Sequence, residues 1–111
     1  MVQVKYGLIP DKLFVNYLNF LIGKVFKLLP MREQNDETLI KYMESLQREL
    51  IGNQELIARL KNNANFLSFL GKIQYLINNE VDIKIFKKDV FDCITLINKL
   101  KSEFEKEGGC G

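Results

Sequence analysis

Residues 11–29 read DKLFVNYLNFLIGKVFKLL, which is far more apolar than one helix of a small bundle needs to be. On a helix, the polar residues of this stretch form one thin stripe, and apolar side chains cover most of the remaining circumference. The stripe consists of Lys12, Asn16, Asn19, Gly23 and Lys27. A helix that is apolar nearly all round is either central in its own domain or partly covered by another chain. This stretch therefore favours a helical protein that associates.

The remaining sequence reads as further amphipathic helices, separated by residues that cap or stop a helix. The predicted helices run from Pro10 to Leu29, from about Asp36 to Gly52, from Gln54 to Ile77 and from Asp82 to about Glu107. The stretch from Gln54 to Ile77 is one long helix or two. A break at Asn62 and Asn63 is favoured, because Asn63 falls where a continuous helix would place an apolar residue and asparagine is a good helix cap.

The last predicted helix carries a nearly perfect heptad seam. Its apolar residues are Phe86, Val90, Cys93, Ile97, Leu100 and Phe104. A seam of fewer than three heptads is more often a contact inside a bundle than a long coiled coil. These patterns together predict an all-α fold, a compact antiparallel bundle of four to five helices spanning residues 10–107.

The two ends of the chain are expected to lie outside this bundle. Val2, Val4 and Tyr6 alternate with polar residues, which indicates a short strand or an extended arm over residues 1–9. A lone strand leaves its backbone groups unpaired unless it meets water or an edge elsewhere, including the edge of a neighbouring subunit. The alternative is a disordered or loosely packed N-terminus. Residues 108–111 contain three glycines and Cys110, and we expect a flexible tail there.

Composition places the chain among ordinary soluble proteins. It has 111 residues, a net charge of +2 and two cysteines, Cys93 and Cys110, without the number or spacing of a disulfide framework. We expect no signal peptide and no membrane span, since the apolar part of the first helix is short and contains lysine and asparagine. The abundance of Lys, Asn and Ile indicates an AT-rich genome, as in low-GC bacteria and their phages, so we expect the cytoplasm of a bacterial or phage-infected cell.

The lack of histidine removes most of the chemistry that helical bundles support. It excludes Ser/His/Asp and Cys/His nucleophilic catalysis and the histidine-containing zinc and di-iron sites. Two carboxylate pairs remain, Glu33 with Asp36 and Asp89 with Asp92, but one of them falls in a predicted loop. We therefore expect no enzyme, no metal, no cofactor and no small-molecule substrate.

The leading hypothesis is an interaction or assembly protein that docks an apolar helical surface on itself or on a partner protein. Buried aromatic residues carry a large share of interface energy, so the aromatic residues of the first helix are the natural anchors. The candidate contacts are Val4 and Tyr6 in the arm and Phe14, Tyr17, Phe20, Val25 and Phe26 in the helix. Periodicity does not tell which of them face the core.

The alternative hypothesis is a small helical nucleic-acid-binding or regulatory protein. Lys84, Lys87 and Lys88 form a basic cluster, and Phe91 follows one turn later, off the heptad seam. A second candidate is a recognition helix from Gln54 to Lys61, following the Gly52 corner. Its polar residues are Gln54, Arg59, Lys61 and Asn62. Both candidates are weakened by interspersed acidic residues.

Overall fold

The computed structural model describes the backbone of residues 2–4 and 7–108 and the side chains of residues 10 and 12–105. Within these residues the chain forms two strands, five α-helices and one 3-10 helix. They are β1 (Val2–Val4), β2 (Gly7–Ile9), α1 (Asp11–Phe26), α2 (Leu28–Glu33), α3 (Leu39–Leu56), the 3-10 helix Ala58–Leu60, α4 (Ala64–Asn78) and α5 (Ile83–Gly108). The chain measures 45 × 24 × 20 Å, and its radius of gyration is 14.5 Å. The predicted all-α, compact fold is confirmed.

The N-terminal arm is a small hairpin rather than a lone strand. β1 pairs with β2 in antiparallel register, with Val2 opposite Ile9 and Val4 opposite Gly7. The chain folds back and supplies the second strand itself, so the backbone groups of β1 pair within the hairpin. The hairpin lies against the 3-10 helix, and Pro10, which has no N–H to donate, separates it from α1. Tyr6 lies outside the described residues.

The first helix ends earlier than its apolar pattern predicts. α1 stops at Phe26, and Leu28, Leu29 and Pro30 form the first turn of a separate short helix, α2. Proline cannot donate the hydrogen bond that would continue α1, but it is tolerated in a first turn, where backbone N–H groups have no partner inside the helix. Pro30 therefore belongs to the start of α2.

The region from Gly52 to Ile77 is also divided differently from the prediction. Gly52 does not stop α3, which continues to Leu56, since the buried Leu50 and Ile57 keep this part of the chain packed on one face. The favoured break at Asn62 and Asn63 is confirmed. The side-chain oxygen of Asn63 accepts a hydrogen bond from the Phe66 N–H at 3.0 Å and caps α4.

The core is built around α5, which packs on both α1 and α4. All six residues of the heptad seam are buried, so the seam is a contact inside the domain, as predicted. The ring centroids of Phe14 and Phe104 lie 4.3 Å apart at one end of the contact between α1 and α5. The rings of Phe26 and Phe91 meet nearer the other end of this contact. α1 and α5 therefore run in opposite directions.

Candidate protein-binding surface

The polar stripe predicted on the first helix is its solvent-exposed side. Lys12, Asn16, Asn19, Gly23 and Lys27 are all exposed in the structure. The apolar residues of α1 are divided between the core and the two sides of this stripe. One side borders α5 and the other borders α3, and exposed apolar side chains lie on both.

Two of the predicted contact residues belong to the core. Phe14 is 1% exposed and Val25 is fully buried, because both lie on the face of α1 that packs into the bundle. Neither side chain reaches the surface in this fold, and we leave both out of the contact surface. Val4 lies in β1, but its side chain is outside the described set.

The most distinctive exposed feature joins α1 to α5. Phe26 and Phe91 are 44% and 50% exposed, and their rings meet edge to face with centroids 6.1 Å apart. This arrangement suits the charge distribution of aromatic rings. We call these two residues the aromatic patch. Phe26 is a predicted protein contact and Phe91 is a predicted nucleic-acid contact, and the fold brings the two residues together.

Ion pairs compensate the charges around the aromatic patch. Lys87, one turn before Phe91 on α5, lies 3.4 Å from the carboxylate of Glu33 on α2. Lys88 instead lies 3.3 Å from Asp92. The three lysines of the predicted basic cluster share the exposed face of α5 that carries Phe91. Lys87 and Lys88 each have an acidic partner, which reduces the attraction of the cluster for a phosphate backbone, whereas no ion pair of Lys84 is found among the described residues.

The helix predicted from Gln54 to Lys61 does not exist as a separate element. Gln54 belongs to the last turn of α3, and Arg59 belongs to the 3-10 helix. The Arg59 guanidinium lies over the Phe104 ring at 4.1 Å from its centroid. A recognition helix with its own exposed face is therefore not formed here.

On the other side of the stripe, a polar junction ties α1 to α3. It consists of Tyr17, Lys24, Glu49 and Asn53. The Glu49 carboxylate accepts hydrogen bonds from the Tyr17 hydroxyl at 2.5 Å and from the Lys24 ammonium at 2.6 Å. The Asn53 amide donates to the Tyr17 oxygen at 2.5 Å. Tyr17, predicted as an apolar anchor, therefore serves to hold two helices of the same chain together.

The polar junction perturbs the acidity of its members. Burial raises the pKa of Tyr17 well above its usual range, and the hydrogen bond to Glu49 adds to this shift. Burial also acts to raise the pKa of Glu49, but hydrogen bonds from Lys24 and Tyr17 outweigh it and lower the pKa of the carboxyl overall. At neutral pH the junction therefore pairs a neutral phenol with a charged carboxylate.

Sequence reasoning did not find the polar junction. Tyr17 and Glu49 are 32 positions apart, and no local pattern links them. The one available indication was that Tyr17 and Lys24 lie seven positions apart, on one face of an otherwise apolar helix.

Metal ligands and a reactive thiol were also sought among the described side chains. Among residues 12–105, no group of three or more Cys, Asp or Glu side chains is placed to hold a metal ion. Burial raises the pKa of the Cys93 thiol to about 12, so this cysteine is a core residue with little thiolate at neutral pH.

Lys12–Glu33 is the one candidate membrane span in the described part of the chain, by length and composition alone. This is a weak indication, because core helices of water-soluble proteins meet the same criterion. The fold divides the segment into α1 and α2.

Comparison with known proteins finds no matching family model, no similar curated protein and no similar solved structure.

Proposed function

We propose that this protein is a non-enzymatic interaction or assembly protein, which docks its aromatic patch on a second copy of itself or on a partner protein. The observation that carries the proposal is the contact between Phe26 and Phe91, two half-exposed rings supplied by different helices. Aromatic residues are enriched at the centres of protein interfaces, where they contribute much of the binding energy.

The charges beside the aromatic patch favour a second copy. Charges of both signs lie on this side of the protein, since Lys87 pairs with Glu33 and Lys88 pairs with Asp92 on or beside the face of α5 that carries Phe91. In a two-fold symmetric dimer, each surface meets its own copy, so a surface with both signs can pair the lysine of one protomer with the glutamate of the other. The proposal includes an antiparallel bundle of four to five helices as the rigid support of this surface. It also includes a cytoplasmic location in a bacterial or phage-infected cell.

The alternative proposal is nucleic-acid binding through Lys84, Lys87 and Lys88. The salt dependence of binding distinguishes the two proposed functions, because phosphate binding weakens steeply as the salt concentration rises, whereas apolar association does not. The pairing of Lys87 with Glu33 and of Lys88 with Asp92 makes protein docking the better supported function.

The test is sedimentation equilibrium of the reduced protein and of the variants Phe26→Asp and Phe91→Asp. Each variant places a charge in the centre of the aromatic patch, and we expect at least a tenfold weaker association. Ile40→Asp is the matched control, since Ile40 is an equally exposed apolar residue on α3. Equal weakening by the control would contradict the assignment of the surface.

A further inference from the structure

The side of α1 that borders α3 carries a second exposed surface with a different character. Phe20 and Leu13 are 60% and 58% exposed, the highest values among the large apolar side chains that the structure describes. They lie seven positions apart, so they share one face of the helix. Lys12 and Lys27, both exposed, lie beside them. We call these four residues the outer face.

The charged members of the outer face are both lysines. Residues 12–32 contain three lysines and one arginine but no aspartate or glutamate, and Asp11 and Glu33 flank this range. The carboxylate that reaches this side of α1 from α3 is Glu49, and Lys24 holds it in an ion pair. The Lys24 ammonium also lies 4.9 Å from the centroid of the Phe20 ring. The Lys27 ammonium lies 5.4 Å from the centroid of the Tyr42 ring. The outer face therefore combines two exposed apolar side chains with two lysines that form no ion pair with the side chains that the structure describes.

This combination disfavours a second copy of the same surface as the occupant. Two outer faces brought together would oppose Lys12 and Lys27 of each protomer without a carboxylate between them, and like charges at close range destabilise a contact. An occupant that is both apolar and negatively charged fits these residues best.

We propose that the outer face of α1 binds the surface of an anionic lipid bilayer. Leu13 and Phe20 would enter the boundary between headgroups and acyl chains, while Lys12 and Lys27 remain at the lipid phosphates. Leu13 and Phe20 are available for this contact, because the other apolar side chains of α1, apart from Phe26, are buried or packed against the core. The proposal is independent of docking through Phe26 and Phe91, which lie on the α5 side.

The chain has no tryptophan, so a single introduced tryptophan reports on its own position. In the variant Phe20→Trp we expect the emission to shift to shorter wavelengths on adding vesicles of phosphatidylcholine with about one third phosphatidylglycerol. Vesicles of phosphatidylcholine alone should leave the emission unchanged, and high salt should reverse the shift. Leu67→Trp serves as the control and should show no shift, because Leu67 is an exposed apolar residue on α4, away from the outer face.

Vesicle sedimentation of unlabelled protein tests which side chains are used. We expect Leu13→Ser with Phe20→Ser to lower the partition coefficient by about tenfold or more, and Lys27→Gln to lower it by about fivefold. Ile40→Ser with Leu67→Ser replaces two other exposed apolar residues and should leave partitioning unchanged.

Three results would overturn the proposal. The first is no emission shift of Phe20→Trp with anionic vesicles. The second is an equal shift with neutral vesicles, which would remove the role of charge. The third is an equal shift with soluble polyglutamate, which would show that the surface binds acidic polymers, including acidic proteins, without inserting into lipid. None of these results bears on dimerisation, which the Phe26→Asp and Phe91→Asp variants measure separately.

Discussion

Phe26 and Phe91 meet edge to face across the boundary between α1 and α5, with ring centroids 6.1 Å apart and ring planes at 82°. Both rings are close to half exposed, so the contact contributes to the fold and presents aromatic surface to solvent. The same two residues therefore determine a small part of the stability of the monomer and, in our account, most of its association.

A double-mutant cycle measures how much the contact between Phe26 and Phe91 contributes to the free energy of unfolding. We expect Phe26→Ala and Phe91→Ala to be coupled by about 0.5–1.5 kcal/mol, since an edge-to-face pair adds this much beyond the burial of its area. Urea unfolding at a protein concentration below the association range gives the free energies. Phe20→Ala with Phe91→Ala is the control cycle and should be additive. Additive effects in both cycles would mean that the ring contact contributes nothing.

Phe14 and Phe20 lie on the same helix but should respond differently to truncation. Phe14 is buried against Phe104, and we expect Phe14→Ala to lower the free energy of unfolding by about 3–5 kcal/mol. Phe20 is exposed, and Phe20→Ala should change the free energy of unfolding by no more than about 0.5 kcal/mol. Thermal unfolding of the two variants checks this. Similar losses for both would mean that α1 is rotated relative to the described fold.

Because of the polar junction, we expect the stability of the protein to fall as the pH rises into the alkaline range. In the unfolded chain Tyr17 loses its proton near its ordinary pKa of 10.0, whereas in the folded protein burial and Glu49 keep it protonated to higher pH. The contribution of Tyr17 to the free energy of unfolding is thus complete below about pH 10, and above this pH it falls by at most about 1.4 kcal/mol per pH unit. Tyr17→Phe removes this contribution, so the stability difference between wild type and variant should shrink from pH 9 to pH 11.

Urea unfolding at several pH values between 8 and 11 measures this difference. At pH 8 we expect Tyr17→Phe to cost about 1–2 kcal/mol, since Glu49 and Asn53 each lose a hydrogen-bond partner. Tyr75→Phe is the control, because Tyr75 is exposed on α4. A constant difference between wild type and Tyr17→Phe across this range would contradict the raised pKa of Tyr17.

Two adjacent asparagines allow a sharp test of the start of α4. Asn63 caps the helix through the Phe66 N–H and also donates to the Glu103 carboxylate at 2.7 Å. Asn62 is exposed beside it. We expect Asn63→Ala to cost about 1–2 kcal/mol and Asn62→Ala to be nearly neutral, because only Asn63 satisfies a first-turn donor. Chemical denaturation measures both. The reverse order would place the cap one residue earlier.

Local periodicity was sufficient to predict the elements whose determinants lie close together in sequence. The seam from Phe86 to Phe104 and the cap at Asn63 each depend on residues within one or a few helical turns. The exposed stripe of α1 was visible for the same reason. The all-α fold follows from these patterns without knowledge of any distant contact.

The remaining features depend on contacts between distant segments. The pairing of β1 with β2 and the continuation of α3 through Gly52 are decided by what each segment meets in the fold. The positions of Phe14 and Phe26 were ambiguous because α1 is apolar on nearly all sides, and packing against α5 decides which ring is buried. The partners of Tyr17 lie on α3, more than 30 positions away.

The most direct test of the central claim is the absolute mass of the reduced protein, measured by size-exclusion chromatography with light scattering at low and at high salt. The account predicts a dimer or larger oligomer of the 13.0 kDa chain at both salt concentrations, and a monomer for Phe91→Asp. A monomer for the wild type at both salt concentrations, or an oligomer that Phe91→Asp leaves intact, would contradict self-association through the aromatic patch.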